Sequence, residues 1–309
     1  MVSKITKTIY GKLKDKYSEI RPGLQFDTGI SPTKRDYYLC NLADNLIAPM
    51  DDIHLAQFAN GAGCEMEENM YALYSSSAMT FNIFGNERCV FHDGIFEYNQ
   101  YEITYEKQLE TLHPPPPHYQ TTPAHFDAML TSPDSSEILF FEMKMIEWLR
   151  GKLSTLSNAY LREKRYFYPD SFPVFRSMFW DLIDHSLNKT QDYVSHCKVY
   201  DVFQMSRHLL AIFNFIRKAK NKPKLVRLIN CIWMLNDPTI LGDKECEYRE
   251  TLSKSQAEFD SFKKATKPVM ALFTQMNVAF DIQYISHKDL LYNMAKNDEE
   301  KVFLDRYSI

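Results

Sequence analysis

Apolar positions gather into two short runs separated by a turn between His125 and Lys144. His125-Phe126-Asp127-Ala128-Met129-Leu130 and Glu137-Ile138-Leu139-Phe140-Phe141-Glu142-Met143-Lys144 flank Thr131-Ser132-Pro133-Asp134-Ser135-Ser136, a run of turn formers. The pattern predicts a β-hairpin. Upstream, Ile5, Ile9, Leu13 and Tyr17 form one stripe of a helix over 1–24 that stops at Pro22-Gly23. A second helix is expected over 34–50. A third helical region covers 51–74, interrupted by Asn60-Gly61-Ala62-Gly63, and a short helix or tight turn covers 75–85. Residues 94–110 alternate as a strand. Downstream, the pattern gives a helix over 146–165, an aromatic insertion over 166–175 and helical sequence over 174–220 in two pieces joined near 188–192. A strand at 225–235, a charged helix at 247–273, a strand at 278–286 and a helix at 287–296 follow. This order predicts an α/β fold, a mixed sheet flanked by helices with additional helices at both ends.

The charges inside the hairpin break its apolar pattern. Side chains alternate with period two, so Glu142 and Lys144 share a face while Phe141, Met143 and Met145 occupy the other. Asp127 lies on the preceding strand. Two carboxylates in an apolar setting raise each other's pKa unless positive charge stands between them. A divalent cation answers this, and Asp127 and Glu142 are hard oxygen donors suited to Mg²⁺, with the Met143 carbonyl pointing near the same ion. Lys144 could then orient or deprotonate a water, or balance charge on a phosphorus-centred transition state. The alternative is an edge hairpin carrying a surface salt bridge.

Composition narrows the classes. With 36 Lys and Arg against 40 Asp and Glu the net charge is −4, so the chain is not a basic nucleic-acid binder throughout, although a local basic groove stays open. The densest basic segment, Arg217, Lys218, Lys220, Lys222, Lys224 and Arg227, reads either as a phosphate-neutralising surface, with Lys222 and Lys224 as substrate contacts, or as a solvated helix end. Six scattered cysteines without a CxxC pair point to reduced thiols and away from zinc. The absence of a long apolar run or a signal-like start gives the expectation of a soluble, cytoplasmic protein without a membrane partner. His113 and His118 bracket Pro114–Pro117 and read as an exposed loop pair. Ser75, Ser76 and Ser77 read as capping or helix packing, since no Gly-x-Ser-x-Gly surrounds them.

Asp127 followed by Glu142-Met143-Lys144 on the next strand resembles the PD-(D/E)XK nuclease superfamily, whose fold is restriction-endonuclease-like. Gly63-Cys64-Glu65, Ser75-Ser76-Ser77-Ala78, Asn82-Ile83-Phe84-Gly85 and Glu147-Trp148-Leu149 add similarity to a bacterial branch of restriction-type endonucleases. The family proline is replaced by Phe126, with Pro123 upstream. The resemblance implies a core of one helix, a three-strand meander, a helix and a further strand. It places that core at 58–235, with a helical insertion at about 166–200, an N-terminal helical segment at 1–57 and a C-terminal α/β extension at 236–309. It also implies an acid on the first core helix, Glu65 or after it Glu68, and it likens Gln204-Met205-Ser206-Arg207-His208 to a glutamine-bearing helix beside the site. Gln204 and Arg207 become substrate contacts in that reading. The implied activity is Mg²⁺- or Mn²⁺-dependent endonucleolytic hydrolysis of double-stranded DNA, with Asp127, Glu142, Lys144 and Glu65 catalytic, and action as a homodimer. The alternative is a catalytically inactive nuclease-fold protein serving as a nucleic-acid or protein interaction module. Glu106 and Glu147 are assigned supporting or surface roles.

Overall fold

The hairpin closes as its sequence requires. In the computed structural model Asp134 accepts from Ser132 Oγ and from the Ser136 amide, and Ser132 Oγ receives the Glu137 amide. These Asx-type contacts fix the turn between strands Ala124–Thr131 and Glu137–Lys144. The structure describes residues 4–27, 36–61, 66–86, 89–92, 97–113, 123–151, 153–187, 192–291 and 297–309.

In chain order the helices are α1 (Lys4–Ile20), α2 (Asp52–Ala59), α3 (Ser76–Phe84), α4 (Ala159–Arg162), α5 (Phe172–Leu182), α6 (Val202–Lys218), α7 (Glu245–Ala265), α8 (Lys267–Gln275), α9 (His287–Leu291) and α10 (Asp298–Leu304). The strands are β1 (Cys89–His92), β2 (Glu97–Leu109), β3 (Ala124–Thr131), β4 (Glu137–Lys144), β5 (Leu156–Ser157), β6 (Asp192–Tyr193), β7 (Leu225–Ile232) and β8 (Ala279–Ser286). The main sheet runs β1-β2-β3-β4-β7-β8. Its first four strands form an antiparallel meander, and β7 and β8 join parallel to β4. The body of the molecule is therefore a mixed sheet flanked by helices, and the 236–309 segment supplies β8 to that same sheet.

Alternation divides the core into two layers. Leu139, Phe141 and Met143 of β4 pack with α1 and α3, whereas Ile138 and Phe140 pack with α5, α6 and α8. On α6, Phe203, Leu209, Leu210, Phe213 and Ile216 lie against the sheet because they recur at helical spacing. Each apolar side chain buried this way stabilises the fold by about 1.5–3 kcal/mol before the entropy of ordering is counted.

Several expected elements differ. Among described residues of 34–50 there is only a 3₁₀ turn at Leu42–Asn45; Phe26 and Tyr38 form bridges to Leu39 and Ala72 instead. Asn45 explains this, because its buried amide donates to the Met70 and Ala72 carbonyls and holds the segment as a strap. The helix expected over 146–165 is a 3₁₀ turn, Glu147–Arg150, then extended chain and the short α4. Gly151, at φ +62°, ends that turn in the left-handed region. The second helix of the 174–220 stretch starts at Val202, where Asp201 caps the Gln204 amide, not near 188–192. The 247–273 helix is two helices meeting at Thr266, ahead of Pro268. Among the described residues no helix is long and apolar enough to cross a membrane.

Candidate active site

The ladder between β3 and β4 is paired from Thr131↔Ile138 to Ala128↔Phe141 and then opens. One step beyond lie Asp127 and Glu142. Asp127 Oδ2 fills the gap by accepting from the Met143 amide at 2.6 Å. On the other side, β2 and β3 pair at Tyr105↔Ala128 and at Lys107↔Phe126, with no bridge between, so Glu106 stands opposite Asp127. Glu106 has φ +49°, an uncommon conformation for a side chain of its kind. Side-chain facing also switches there: Tyr105 and Ala128 belong to the α1/α3 layer, Leu109 and Phe126 to the α6 layer. The interruption sets Glu106, Asp127 and Glu142 in a row across three strands.

Glu142 is 3% exposed. Its Oε1 receives Lys144 Nζ at 2.6 Å and Gln204 Nε2 at 2.8 Å. Gln204 arrives there because α6 packs on the sheet at β3 and β2 and Asp201 pins its first turn, with Asp201 Oδ2 also accepting from the Ser154 amide and hydroxyl. His208, one turn further along α6, packs tilted against Phe126 with ring centroids 4.5 Å apart and brings Nδ1 to 3.5 Å from Glu142 Oε2. From β7, Asn230 Nδ2 donates to the Glu142 carbonyl at 3.1 Å, locking the backbone of the acidic strand.

Burial, then the charges of Glu142 and Glu106, raise the Asp127 pKa well above the ordinary carboxylate range against the pull of Lys144 and the Met143 amide. Burial also raises Glu142, with Lys144 opposing it. Burial pulls Lys144 down, yet the carboxylates of Glu142 and Asp127 outweigh it and the ammonium form is favoured. His208 is pushed down to about 3, first by burial and then by Lys144, so its imidazole is neutral near neutrality.

The structure thus brings together Asp127, Glu142, Met143, Lys144 and Gln204. Glu65 lies outside the described residues. Arg207 lies on the same helix as Gln204, and its charge acts on the Tyr160 hydroxyl and on His208. Lys222 and Lys224 lie elsewhere: Lys224 precedes β7 at the end paired with Glu137, about 15–20 Å along the strand from Glu142 at roughly 3.3 Å per residue. Lys222 donates to the Arg217 and Ala219 carbonyls, capping α6. Their neighbours Arg217 and Lys218 pair with Asp170 and Glu110, which makes this cluster a helix terminus.

Among the described residues no three His, Cys, Asp or Glu side chains converge on one ion. The three acids form a row, not a closed cage. Mg²⁺ is commonly held by one or two carboxylates with water and substrate completing its shell. Asp127 and Glu142, hard donors whose charge is disfavoured where they stand, fit such an ion. Comparison of the chain with protein-family models, with curated proteins and with solved structures finds no match.

Proposed function

We propose that this protein is a divalent-cation-dependent nuclease acting on DNA. The observation that carries the reading is the meeting of Asp127, Glu142 and Lys144 where the β3–β4 ladder opens, with Lys144 Nζ 2.6 Å from Glu142 Oε1. The path of the chain supports it: helix α3, the meander β2-β3-β4, helix α6 and strand β7 parallel to β4 follow the order of a PD-(D/E)XK core.

Asp127, Glu142 and the Met143 carbonyl would hold Mg²⁺, with Glu106 adding negative charge beside them. When bound, the ion supplies positive charge to offset these carboxylates and to draw in a phosphodiester. The chain's own groups then divide the work. Lys144, held as ammonium, stabilises the negative charge that grows on the phosphate oxygens, and it orients the attacking water in preference to deprotonating it. Gln204 fixes the Glu142 carboxylate, and neutral His208 packs behind it. Phe126 and Phe140 keep bulk water from the rear of the site.

One observation favours an inactive binding module instead: Glu142 Oε1 already accepts two hydrogen bonds, as a structural carboxylate would. Incubation with supercoiled and linear DNA, single-stranded DNA and RNA in Mg²⁺ or Mn²⁺ separates the two. The nuclease reading expects DNA cleavage that Lys144→Ala reduces by about a hundredfold or more, the loss of one charge-stabilising group. No cleavage by either favours the module, and equal cleavage by both removes Lys144 from the chemistry.

A further inference from the structure

Residues 236–309 lie beyond the expected nuclease core, yet they reach the candidate site. Glu258 of α7 is half-buried and accepts from three consecutive backbone amides: Lys198 on Oε1, and Val199 and Tyr200 on Oε2, each at 2.8 Å. In an extended strand successive N–H groups point to opposite sides, so three that converge on one carboxylate require a concave turn of the chain. Hydrogen bonds to an ionised acceptor are roughly twice as strong as neutral ones, and these three fix that turn. Directly after it, Asp201 caps α6 by accepting from the Gln204 amide at 3.0 Å. The Tyr200 ring anchors the same turn, packing at 5.6 Å on Phe259 and 5.8 Å on Tyr284. Ser255, about one turn before Glu258 on α7, lines the same cleft as Lys144 and Gln204.

We propose that Glu258 is a positioning residue of the candidate site: by holding the turn at 198–200 it sets where α6 begins, and so where the Gln204 side chain meets Glu142. Its bearing on chemistry rests on the nuclease reading above. The link is short. Gln204 Nε2 donates to Glu142 Oε1 at 2.8 Å, the same oxygen that Lys144 Nζ approaches at 2.6 Å. A displacement of α6 by about 1 Å would stretch the Gln204 bond out of range and leave the carboxylate less firmly fixed. Misplacement on that scale is enough to cost about a hundredfold in rate. The alternative is that Glu258 only fastens α7 to the body of the protein, in which case its loss lowers stability and leaves Gln204 in place.

NMR of the isotope-labelled, cation-free protein separates the two through solvent exchange of the Gln204 side-chain amide, whose signal is identified by its loss in Gln204→Met. In Glu258→Gln, which keeps one carbonyl oxygen for the three amides, that exchange is expected to quicken by about tenfold, the loss of a hydrogen bond to a charged group. Glu258→Ala should exceed it; if that variant does not fold, Glu258→Gln decides alone. Tyr307→Phe, a substitution in the opposite layer of the core, should leave Gln204 unchanged and controls for a general loss of stability. In a Mn²⁺ titration Glu258→Gln is expected to bind about tenfold more weakly than the wild type, as when a partner of a metal ligand is lost. Unchanged exchange at Gln204 in Glu258→Gln, an equal increase in Tyr307→Phe, or Mn²⁺ bound equally by the wild type and Glu258→Gln would overturn the role. Faster exchange in Glu258→Gln with no Mn²⁺ binding by the wild type would remove the cation reading and leave Glu258 as the residue that places Gln204.

Discussion

At the level of single residues, Asp127 stands under strong electrostatic pressure. Burial and then the charges of Glu142 and Glu106 raise its pKa, while Lys144 and the Met143 amide oppose the rise. Asp127→Asn keeps an oxygen for that amide and removes the repulsion. It is expected to raise stability by about 1 kcal/mol in chelator, read as a higher melting temperature, while abolishing cleavage. His287 gives a prediction of opposite character. Its Nδ1 accepts from the Met234 amide at 3.2 Å, which leaves Nε2 to donate to the Tyr307 carbonyl at 3.3 Å. Burial pushes its pKa from 6.5 down to about 3. The stability that this neutral histidine contributes is complete above its unfolded value and is lost as pH falls from 6.5 towards 3, about 2 kcal/mol by pH 5. Urea unfolding at pH 7.5 and pH 5 should show a smaller loss for His287→Gln. Asp127, Glu142 and Lys144 were legible in sequence because charges inside an apolar strand stand out. Glu106 was legible only as a supporting or surface group: Tyr105-Glu106-Lys107-Gln108 reads as a polar strand end, and the interrupted pairing that sets Glu106 opposite Asp127 depends on a strand about twenty residues away.

Elements position these residues through their ends. Asp201 holds the Gln204 amide with one oxygen and both donors of Ser154 with the other. Asp201→Ala is expected to cost about 2 kcal/mol by denaturant titration and to loosen Gln204 from Glu142. At the end of α2, a Cβ on Gly61 would stand 3.0 Å from Glu106 Oε2 and 3.1 Å from the Phe58 carbonyl. Gly61→Ala should therefore displace the Glu106 side chain and lower the melting temperature. The Asp201-x-x-Gln204 signature of a helix start was present in the sequence, but the mixed segment before it, Cys197-Lys198-Val199-Tyr200, carries no glycine or proline to mark the break. Likewise Glu147-Trp148-Leu149-Arg150 has helix-forming composition. What stops it is Trp148, whose indole donates to the Met145 and Trp233 carbonyls and ties the turn to the residue that follows β7, a contact that local pattern does not encode.

Across the whole molecule, the strand patterns of β3, β4 and β7 were sufficient to predict a mixed sheet between helices, since each strand has an apolar side for each layer. The closing contacts were not readable. Tyr307 accepts Trp233 Nε1 at its carbonyl and Asn82 Nδ2 at its hydroxyl, and Arg306 reaches the Asn45 carbonyl. These join α3, the 42–45 strap and the strand that backs the site. Tyr307→Phe removes the bonds that its hydroxyl accepts from Asn82 and Arg306 and should lower unfolding stability by about 1–2 kcal/mol without changing the cleavage products. The central claim is that the opening of the β3–β4 ladder is a cation site for phosphodiester chemistry. Its most direct test is a calorimetric titration of Mn²⁺ into the wild-type protein and into Asp127→Asn. Binding by the wild type that Asp127→Asn weakens by about tenfold or more, the loss of one of two charged oxygen ligands, is the predicted result. No binding by the wild type, or equal binding by both, would contradict the account.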